Sequence, residues 1–278
     1  MQTLSKTLGV SRQRVYFIKK YPEVKLTRKK RKMKDDEVLL IKNIEEIVRE
    51  LPVYGYRRVT AVLRHRYKME VNWKRVYKIM RERKLCMPAS HSHKKMFKGV
   101  PFANNVRAEN SNVLWGIDMT YIWCGTDAWC YFHGVIDHHD KTLLGYSFSR
   151  SCAALGGVMA LANAAAQRPV EELELRSDNG CHYGAKIFKD EIRRLGIRHT
   201  RTMVNTPKGN AVIERFFRSL KEECVWQQRF SNFEQAKEAV DKWVLDYNTE
   251  RPHQTLDYLT PQQFYERKTI GKNEQKVS

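Results

Sequence analysis

Three carboxylates lie in sequence contexts that suggest a chemical role. Asp118 lies between Ile117 and Met119 in an apolar stretch, Asp178 ends a second such stretch before an Asn-Gly pair, and Glu214 stands in the first turn of a long predicted helix. A charge in an apolar strand costs free energy unless it is paired or bound to a cation. Carboxylate oxygens favour Mg²⁺ or Mn²⁺ over zinc, and two such ions can hold the attacking and leaving oxygens of a phosphoryl transfer.

The surroundings of these carboxylates are more informative than their spacing. Although 35 residues lie between Asp178 and Glu214, a chain with 31 Asp and Glu produces such a pair by chance. Lys221 follows Glu214 by seven residues, about two helical turns, so Lys221 shares its helix face, and Arg218 lies on the same side. One helix face therefore carries a metal-binding group together with cations that suit a substrate phosphate.

The elements that must position these side chains predict a mixed sheet flanked by helices. Three segments rich in β-branched and aromatic residues, 113–123, 129–137 and 143–149, have the short connections of an antiparallel meander. Helices and strands then alternate, with helices at 153–167, 185–195 and 211–225 and strands at 172–177 and 197–202. Antiparallel strands followed by alternating helices and strands predict a five-stranded α/β domain.

The basic charge of the chain is concentrated in its first part. Residues 1–110 carry 29 Lys and Arg against 10 Asp and Glu, whereas residues 111–278 carry 22 against 21. A basic module joined to a nearly neutral one suggests a part that holds a polyanion, for which nucleic acid is favoured over a membrane surface or a merely solvated face.

The basic part is predicted to consist of short helices. Residues 4–20 have the rhythm of a helix-turn-helix, and residues 25–34 form a basic linker. Helices are predicted at 35–51, 56–66 and 73–84, the last capped by Asn72. In this last helix we expect Val76, Ile79 and Met80 to face inward, and Lys74, Arg75, Lys78 and Arg81 to face outward. It is predicted to be a DNA recognition helix, against the alternative of a three-helix bundle with a basic surface.

Composition excludes several other classes. Hydrophobic residues make up 42% and charged residues 29%, as in a folded globular chain. No apolar run reaches the roughly 18 residues of a membrane span, and the N-terminus lacks an apolar signal core, so we expect a cytoplasmic protein that makes no membrane contact. The six Cys include no C-x-x-C pair, which argues against a disulfide framework and a zinc site.

Several motifs match one known family. The chain from about residue 35 to 267 resembles transposases of the insertion-sequence family three, of the OrfB type, whose catalytic part resembles the ribonuclease-H-like core of retroviral integrases. The matching stretches are Tyr54–Arg58, Val71–Val76, Trp115–Ile122, Val135–Asp137, Ser177–Gly180, Lys208–Glu214 with Lys221, and Tyr247–His253. The resemblance implies that Asp118, Asp178 and Glu214 form the catalytic triad of a D,D(35)E transposase. It implies Mg²⁺ as the working metal, while the carboxylate donors also allow Mn²⁺ and suggest a pair of ions. Retroviral integrases carry a zinc module of paired His and Cys, but this chain has no C-x-x-C pair, so no zinc is expected.

The resemblance also implies partners, and the charge distribution and residue patterns suggest a domain plan. Double-stranded DNA is expected as terminal inverted repeats and as target, with a homo-oligomer assembled on it and an upstream reading-frame product as a further possible partner. Arg57 and Arg58 join the expected DNA contacts. The predicted domains are a partial helix-turn-helix with linker (1–34), a helical DNA-binding domain (35–88), a linker (89–112), the ribonuclease-H-like core (113–230) and a helical extension (231–278).

Some residues keep two interpretations. Asn179 and Asn210 either support the triad or serve only as turn and cap residues. The run Asp137–Asp140 is interpreted as a turn at a strand end rather than a metal cluster. The aromatic residues Trp115, Trp123, Trp129 and Tyr131 are assigned to the sheet core rather than to base stacking.

Alternatives also remain for the C-terminal motif and for the function. The run 251–253 either braces the core or contacts DNA. Two other functions stay open, a DNA-binding regulator with an inactive core and a nuclease that cuts without joining.

Overall fold

The computed structural model describes residues 35–87, 108–202 and 210–277. The predicted helix-turn-helix at 4–20, the linker at 25–34, most of the linker 89–112 and the Pro/Gly loop before Asn210 lie outside these ranges. The chain separates into two compact units, 1–43 and 44–278. The structure describes residues 35–43 of the first unit. They form the start of a helix that ends in the second unit.

Three helices precede the sheet. They are α1 (Asp35–Glu50), α2 (Tyr56–His65) and α3 (Trp73–Glu82). Asn72 caps α3 as predicted, because its side chain accepts a hydrogen bond from the backbone N–H of Lys74 at 2.9 Å. The helix ends two residues earlier than predicted, since Lys84 takes a left-handed backbone conformation with φ 58°. Val76, Ile79 and Met80 face inward as expected.

The second part is a mixed five-stranded sheet, as predicted. Its strands are β1 (Leu114–Trp123), β2 (Trp129–Asp137), β3 (Leu143–Ser149), β4 (Glu174–Ser177) and β5 (Arg198–Arg201), in the order β3-β2-β1-β4-β5. The first three are antiparallel, and β4 and β5 add in parallel. Because β4 pairs only with residues 114–116, the second half of β1 has no strand beside it on that edge in the described part of the chain.

Helices cover both faces of this sheet. One face packs against α4 (Ala154–Gln167) and α6 (Lys186–Leu195), with the short α5 (Cys181–Gly184) between strand and helix. The other packs against α7 (Ala211–Glu223) and α8 (Phe233–Thr249), and α9 (Pro261–Val277) follows. Gly145 lets α4 approach β3 closely, because a Cβ there would lie 2.3 Å from the carbonyl oxygen of Ala160. The arrangement is the predicted ribonuclease-H-like core.

Two further observations concern the cysteines and the lengths of the helices. All six Cys are free thiols. No helix in the described ranges has both the length and the apolar character needed to cross a membrane.

We expect acid to destabilise the fold through His133, and His133→Phe to reduce this sensitivity. His133 is fully buried on β2, where burial and, secondarily, His182 lower the pKa of its imidazole from an ordinary 6.5 to about 4. Between these values the unfolded chain binds a proton that the folded chain does not. Stability therefore falls as the pH drops through this window, by about 3 kcal/mol in the limit.

Thermal unfolding of both proteins between about pH 7.5 and about pH 4.5 measures this effect. Other groups titrate in both proteins, so the difference between the two curves isolates His133. A variant whose melting temperature follows pH as steeply as that of the wild type would contradict the prediction.

Candidate active site

The parallel pairing of β1 with β4 brings two of the three carboxylates together. Gly116 lies opposite Arg176 in this pairing. Two residues further along each chain, Asp118 stands on β1 and Asp178 directly follows Ser177, the last residue of β4. Because parallel strands advance by the same rise per residue, this register places the two aspartates side by side. β1 continues past this point while β4 ends, so the carboxylates lie where the sheet edge opens.

The loop after β4 is fixed by its own hydrogen bonds. The backbone N–H of Gly180 donates to Asp178 Oδ1 at 2.9 Å, and Asn179 Nδ2 donates to the carbonyl oxygen of Thr202 at 2.8 Å. The first bond closes a short turn around the carboxylate, and the second ties the turn to the end of β5. Asn179 therefore supports the position of Asp178 through the backbone.

Asn210 connects the third carboxylate to the same place. It occupies the position before α7, but its side chain makes no capping bond to that helix. Instead Nδ2 donates to the carbonyl oxygen of Ile117 at 3.1 Å, one residue before Asp118, in a fully buried contact. Glu214 lies in the first turn of α7. The tether between Asn210 and β1 therefore fixes the start of the helix that carries Glu214 beside Asp118.

The electrostatics of Asp118 reflect both other carboxylates. The pKa of Asp118 is raised from an ordinary 3.8 to about 7, chiefly by burial and then by the charges of Asp178 and Glu214, against the lowering effect of a hydrogen bond from the N–H of Met119. Asp118 therefore lies close enough to each of the other two carboxylates to be repelled by its charge. A divalent cation would reverse this repulsion, because opposite charge favours the ionised form.

The donor set suits a hard cation, although it is not closed around one. In residues 35–87, 108–202 and 210–277, no three His, Cys, Asp or Glu side chains are already gathered around a metal position. Asp118 is half-buried, whereas Asp178 and Glu214 are exposed. Rotation of the Glu214 side chain on a fixed helix is a small change, and three carboxylates are the oxygen ligands that Mg²⁺ and Mn²⁺ prefer.

We expect Gly116→Ala to lower strand cleavage by about a hundredfold, because small displacements of reacting groups have effects of that size. A Cβ at position 116 would lie 2.6 Å from both Asn210 Oδ1 and His138 Nε2. His138 is buried, and burial, then Lys141 and Arg176, lower its pKa to about 4, so it is neutral. The added methyl group would therefore push Asn210 away from β1 and shift the start of α7.

Gly55→Ala is the matched control, since nothing lies within 4 Å of a Cβ there. Cleavage rate and melting temperature are measured for both variants. Unchanged cleavage by a folded Gly116→Ala protein would show that the tether does not position Glu214.

The cationic residues predicted to contact DNA divide into two groups. Four lie exposed on α3, namely Lys74, Arg75, Lys78 and Arg81. Arg57 is also exposed, with its guanidinium 5.2 Å from the ring centre of Trp73. On α7, Arg218 is exposed and Lys221 is half-buried. These positions all leave a cation accessible to a polyanion.

Arg58, which was also predicted to contact DNA, contacts other residues of the protein. Its Nη1 donates to Glu223 Oε1 at 2.9 Å, and burial lowers the pKa of its guanidinium despite this partner. The guanidinium also lies 5.2 Å from the ring centre of Tyr54, a buried residue. Since its donors serve a contact inside the protein, we leave Arg58 out of the proposed DNA contacts.

Glu223 is the centre of a structural ion-pair network that the sequence interpretation missed. Its two carboxylate oxygens accept hydrogen bonds from Arg251 at 2.6 and 2.7 Å, in addition to the bond from Arg58. Arg251 also donates to Ser219 at 3.1 Å and lies beside the buried, neutral His253. The run 251–253 therefore braces the core. The sequence does contain an indication of this network. Glu223 falls on the helix face of Phe216 and Leu220, where a buried charge needs a partner.

Residues 137–140 form a turn, in agreement with the interpretation favoured from the sequence over a metal cluster. Asp137 Oδ1 accepts from the backbone N–H groups of His139 and Asp140 at 2.6 and 3.2 Å. Arg168 Nη1 donates to Asp140 Oδ2 at 2.6 Å in a buried ion pair. The carboxylates are therefore satisfied by backbone and guanidinium groups.

The assignment of the sheet aromatics to the core is correct only in part. Trp115 is fully buried, but Trp123 and Trp129 are 50% and 55% exposed. Tyr131 is half-buried. Strand alternation puts Trp123 on the same face as Trp115, yet the helices that bury Trp115 do not extend over the far end of the hairpin. The sequence pattern gives the face of a side chain and not how far a helix covers it.

Comparison with known families agrees with both parts of the chain. Residues 108–207 match a family model described as an integrase core domain, and residues 195–261 match a second model of the same description. Residues 34–93 match a model described as an HTH-like domain.

The chain is also similar to individual proteins. It is 26% identical to the transposase InsD for insertion element IS2A/D/F/H/I/K of Escherichia coli, over 94% of this chain and 89% of the relative. The transposase InsD for insertion element IS2-9 of Escherichia coli strain K12 gives the same identity over 94% and 87%.

Two solved structures are also similar to the chain. The simian T-cell lymphotropic virus intasome in complex with PP2A regulatory subunit B56 gamma is 14% identical over 80% of this chain and 74% of that chain, with a TM-score of 0.49. The catalytic core domain of BIV integrase is 21% identical over 58% and 99%, with a TM-score of 0.44.

Proposed function

We propose that this chain, a DNA transposase of the insertion-sequence family three with an integrase-like core, uses Asp118, Asp178 and Glu214 as a D,D(35)E catalytic triad. The observation that carries the proposal is the placement of the elements that bear these residues: β1, the end of β4 and the start of α7 meet at one edge of the sheet. The β1–β4 register aligns the two aspartates, and the Asn210 tether brings the start of α7 to the same strand. The pKa of Asp118 is raised chiefly by burial and then by the charges of Asp178 and Glu214.

The triad would hold a pair of Mg²⁺ or Mn²⁺ ions, because its ligands are all carboxylate oxygens. When bound, such ions stabilise the charge that develops on the attacking and leaving oxygens of a phosphoryl transfer. The Cys and His side chains that structural zinc sites use have no part in this proposal.

The residues of α7 would position the substrate phosphate. Glu214, Arg218 and Lys221 follow one another at intervals of four and three residues and share a helix face. Lys221 and Arg218 would bind phosphate oxygens beside the carboxylates, so that the scissile bond lies across the edge of the sheet. Charge-assisted bonds of this kind fix the orientation of a phosphodiester without reading its sequence.

The reaction that this arrangement supports has two parts. Water forms a bond to phosphorus at the end of the element, and the bond from phosphorus to the 3′ oxygen breaks, which leaves a 3′-OH. That hydroxyl then forms a bond to a second phosphorus and displaces its 3′ oxygen. No covalent link between protein and DNA is required, because the DNA hydroxyl is itself the nucleophile.

The HTH-like domain would bind the terminal inverted repeats. On α3 the exposed Lys74, Arg75, Lys78 and Arg81 lie opposite the buried face of the helix. A helix of this kind fits the major groove, with its buried face held by the rest of the domain. Arg57 would add a contact beside it. Two ends must be brought together before joining, so we propose a homo-oligomer assembled on DNA, with an upstream reading-frame product as a further partner.

One experiment tests the function directly. The protein is incubated with a labelled duplex of its own element end, a target duplex and Mg²⁺, and new junctions are mapped. Label joined within the target supports a transposase. Protection of the end without nicking would indicate a regulator, and nicking without joining would indicate a nuclease.

A further inference from the structure

We propose that an aromatic cleft next to the triad binds unpaired nucleotides of a DNA strand, an inference that rests on the proposed function. The cleft has a volume of about 530 Å³ and lies beside the far half of β1. Four of its lining residues are aromatic and two are cationic, namely Tyr121, Trp123, Trp129, Trp226, Lys221 and Arg229. None of the described residues that line it is acidic.

Two elements lead from the triad to this aromatic cleft. Tyr121 follows Asp118 by three residues on β1, about 10 Å along the strand, and alternation puts its side chain on the opposite face, so this path passes round the edge of β1 that lies beyond β4. Lys221 follows Glu214 by seven residues on α7, also about 10 Å at about 1.5 Å per residue. A DNA strand whose phosphate lies at the carboxylates would therefore reach the aromatic cleft within a few nucleotides.

The aromatic side chains of this cleft are presented to solvent. Tyr121, Trp123, Trp129 and Trp226 are 52%, 50%, 55% and 67% exposed. Trp123 and Trp129 contact each other edge to face with ring centres 5.2 Å apart, which fixes their orientation. Large exposed aromatic groups grouped in one place mark a binding surface more often than a solvated one.

The combination of groups selects the ligand chemistry. The flat aromatic side chains can stack on a planar ring system, and Lys221 and Arg229 can bind phosphate groups. A ligand that uses the whole cleft must therefore carry a planar ring and a phosphate. Nucleotides do, and base stacking on aromatic side chains is tolerant of sequence. Paired bases inside a duplex keep their faces stacked on their neighbours. The aromatic cleft therefore fits bases that have left the duplex near the cleaved end.

The test compares DNA ends that are paired and unpaired. Affinity is measured by fluorescence anisotropy, at one salt concentration and without divalent metal, for a fully paired duplex end and for the same end with unpaired terminal nucleotides. Trp226→Ala is expected to weaken binding of the unpaired end about tenfold and to leave the paired end nearly unchanged. Trp226→Phe should restore most of the loss, because it keeps a π face.

Leu245→Ala is the matched control, since Leu245 is 62% exposed on α8 and lies outside the lining residues of the aromatic cleft. Equal affinities of wild type and Trp226→Ala for the unpaired end would overturn the proposal. A change of self-association in sedimentation, with no change in DNA preference, would also overturn it and assign the surface to a second copy. Because binding is measured without metal, these outcomes are independent of strand joining, which tests the proposed function separately.

Discussion

Asp118→Asn is expected to lower strand cleavage by at least about a thousandfold, because loss of one of the carboxylates proposed to bind the metal would remove about 4 kcal/mol of transition-state stabilisation. The same change should raise the melting temperature of the metal-free protein. The carboxylate is half-buried, and burial together with the charges of Asp178 and Glu214 raises its pKa to about 7, so the ionised form is disfavoured in the folded state. Asn has nearly the same shape and carries no charge.

The pH dependence of this stabilisation has a definite sign. Between its ordinary pKa of 3.8 and the folded value of about 7, Asp118 binds a proton in the folded chain that it does not bind in the unfolded chain. The stability of the wild type therefore declines as the pH rises through this window. The advantage of Asp118→Asn should be greatest above pH 7 and should vanish below about pH 4.

Thermal unfolding with and without Mg²⁺ separates the two effects. Mg²⁺ should stabilise the wild type, because a ligand that binds only the folded state adds to its stability, and should have less effect on the variant. Asp190→Asn is the control, since Asp190 pairs on the surface with Arg193. Cleavage at the wild-type rate by Asp118→Asn in Mg²⁺ would remove this residue from the catalytic site.

Glu223→Ala is expected to destabilise the protein by about 3–5 kcal/mol, the cost of leaving a buried charge without its partner. Both Arg58 and Arg251 direct their guanidinium groups at this carboxylate. Arg251 is 5% exposed and Glu223 is similarly shielded, with a side chain 6% exposed. Solvent screening is therefore weak, and the two cations would also repel each other.

The neighbouring residue supplies a close control. Glu222→Ala removes the same charge from the same turn of α7, but Glu222 is exposed. At about 2–4 °C per kcal/mol for a chain of this size, Glu223→Ala should lower the melting temperature by roughly 10 °C, and Glu222→Ala by no more than a degree or two. Equal melting temperatures for the two variants would contradict the buried network.

Most of the fold could be predicted because local patterns and tertiary packing agree. The strands at Trp129–Asp137 and Leu143–Ser149 have the predicted bounds, since alternating apolar residues and turn signals fix both their face and their ends. Asp118 could be singled out because a charge in such a strand conflicts with its surroundings. Residues that conflict with their local structural pattern are expected at functional sites.

What could not be predicted depends on distances between elements far apart in the chain. Arg58 and Glu223 are separated by 165 positions, and no local pattern indicates that one would neutralise the other. The sequence leaves Asn210 either as a cap of α7 or as a support of the triad, and only the approach of β1 explains why it bonds to Ile117 rather than capping the helix. The exposure of Trp123 depends on where the neighbouring helices end.

The carboxylate of Glu223, shared by two arginines, constrains how transposases of this kind can evolve by exchanging domains. It accepts from Arg58 in the HTH-like domain and from Arg251 after α8, so a single acidic group joins segments that lie at opposite ends of the described chain. A chimera that takes its DNA-reading helices from one relative and its catalytic part from another would have to carry positions 58, 223 and 251 as a set. Exchange of modules between mobile elements should therefore be limited by charge matching at this junction as well as by the DNA sequence that each module reads.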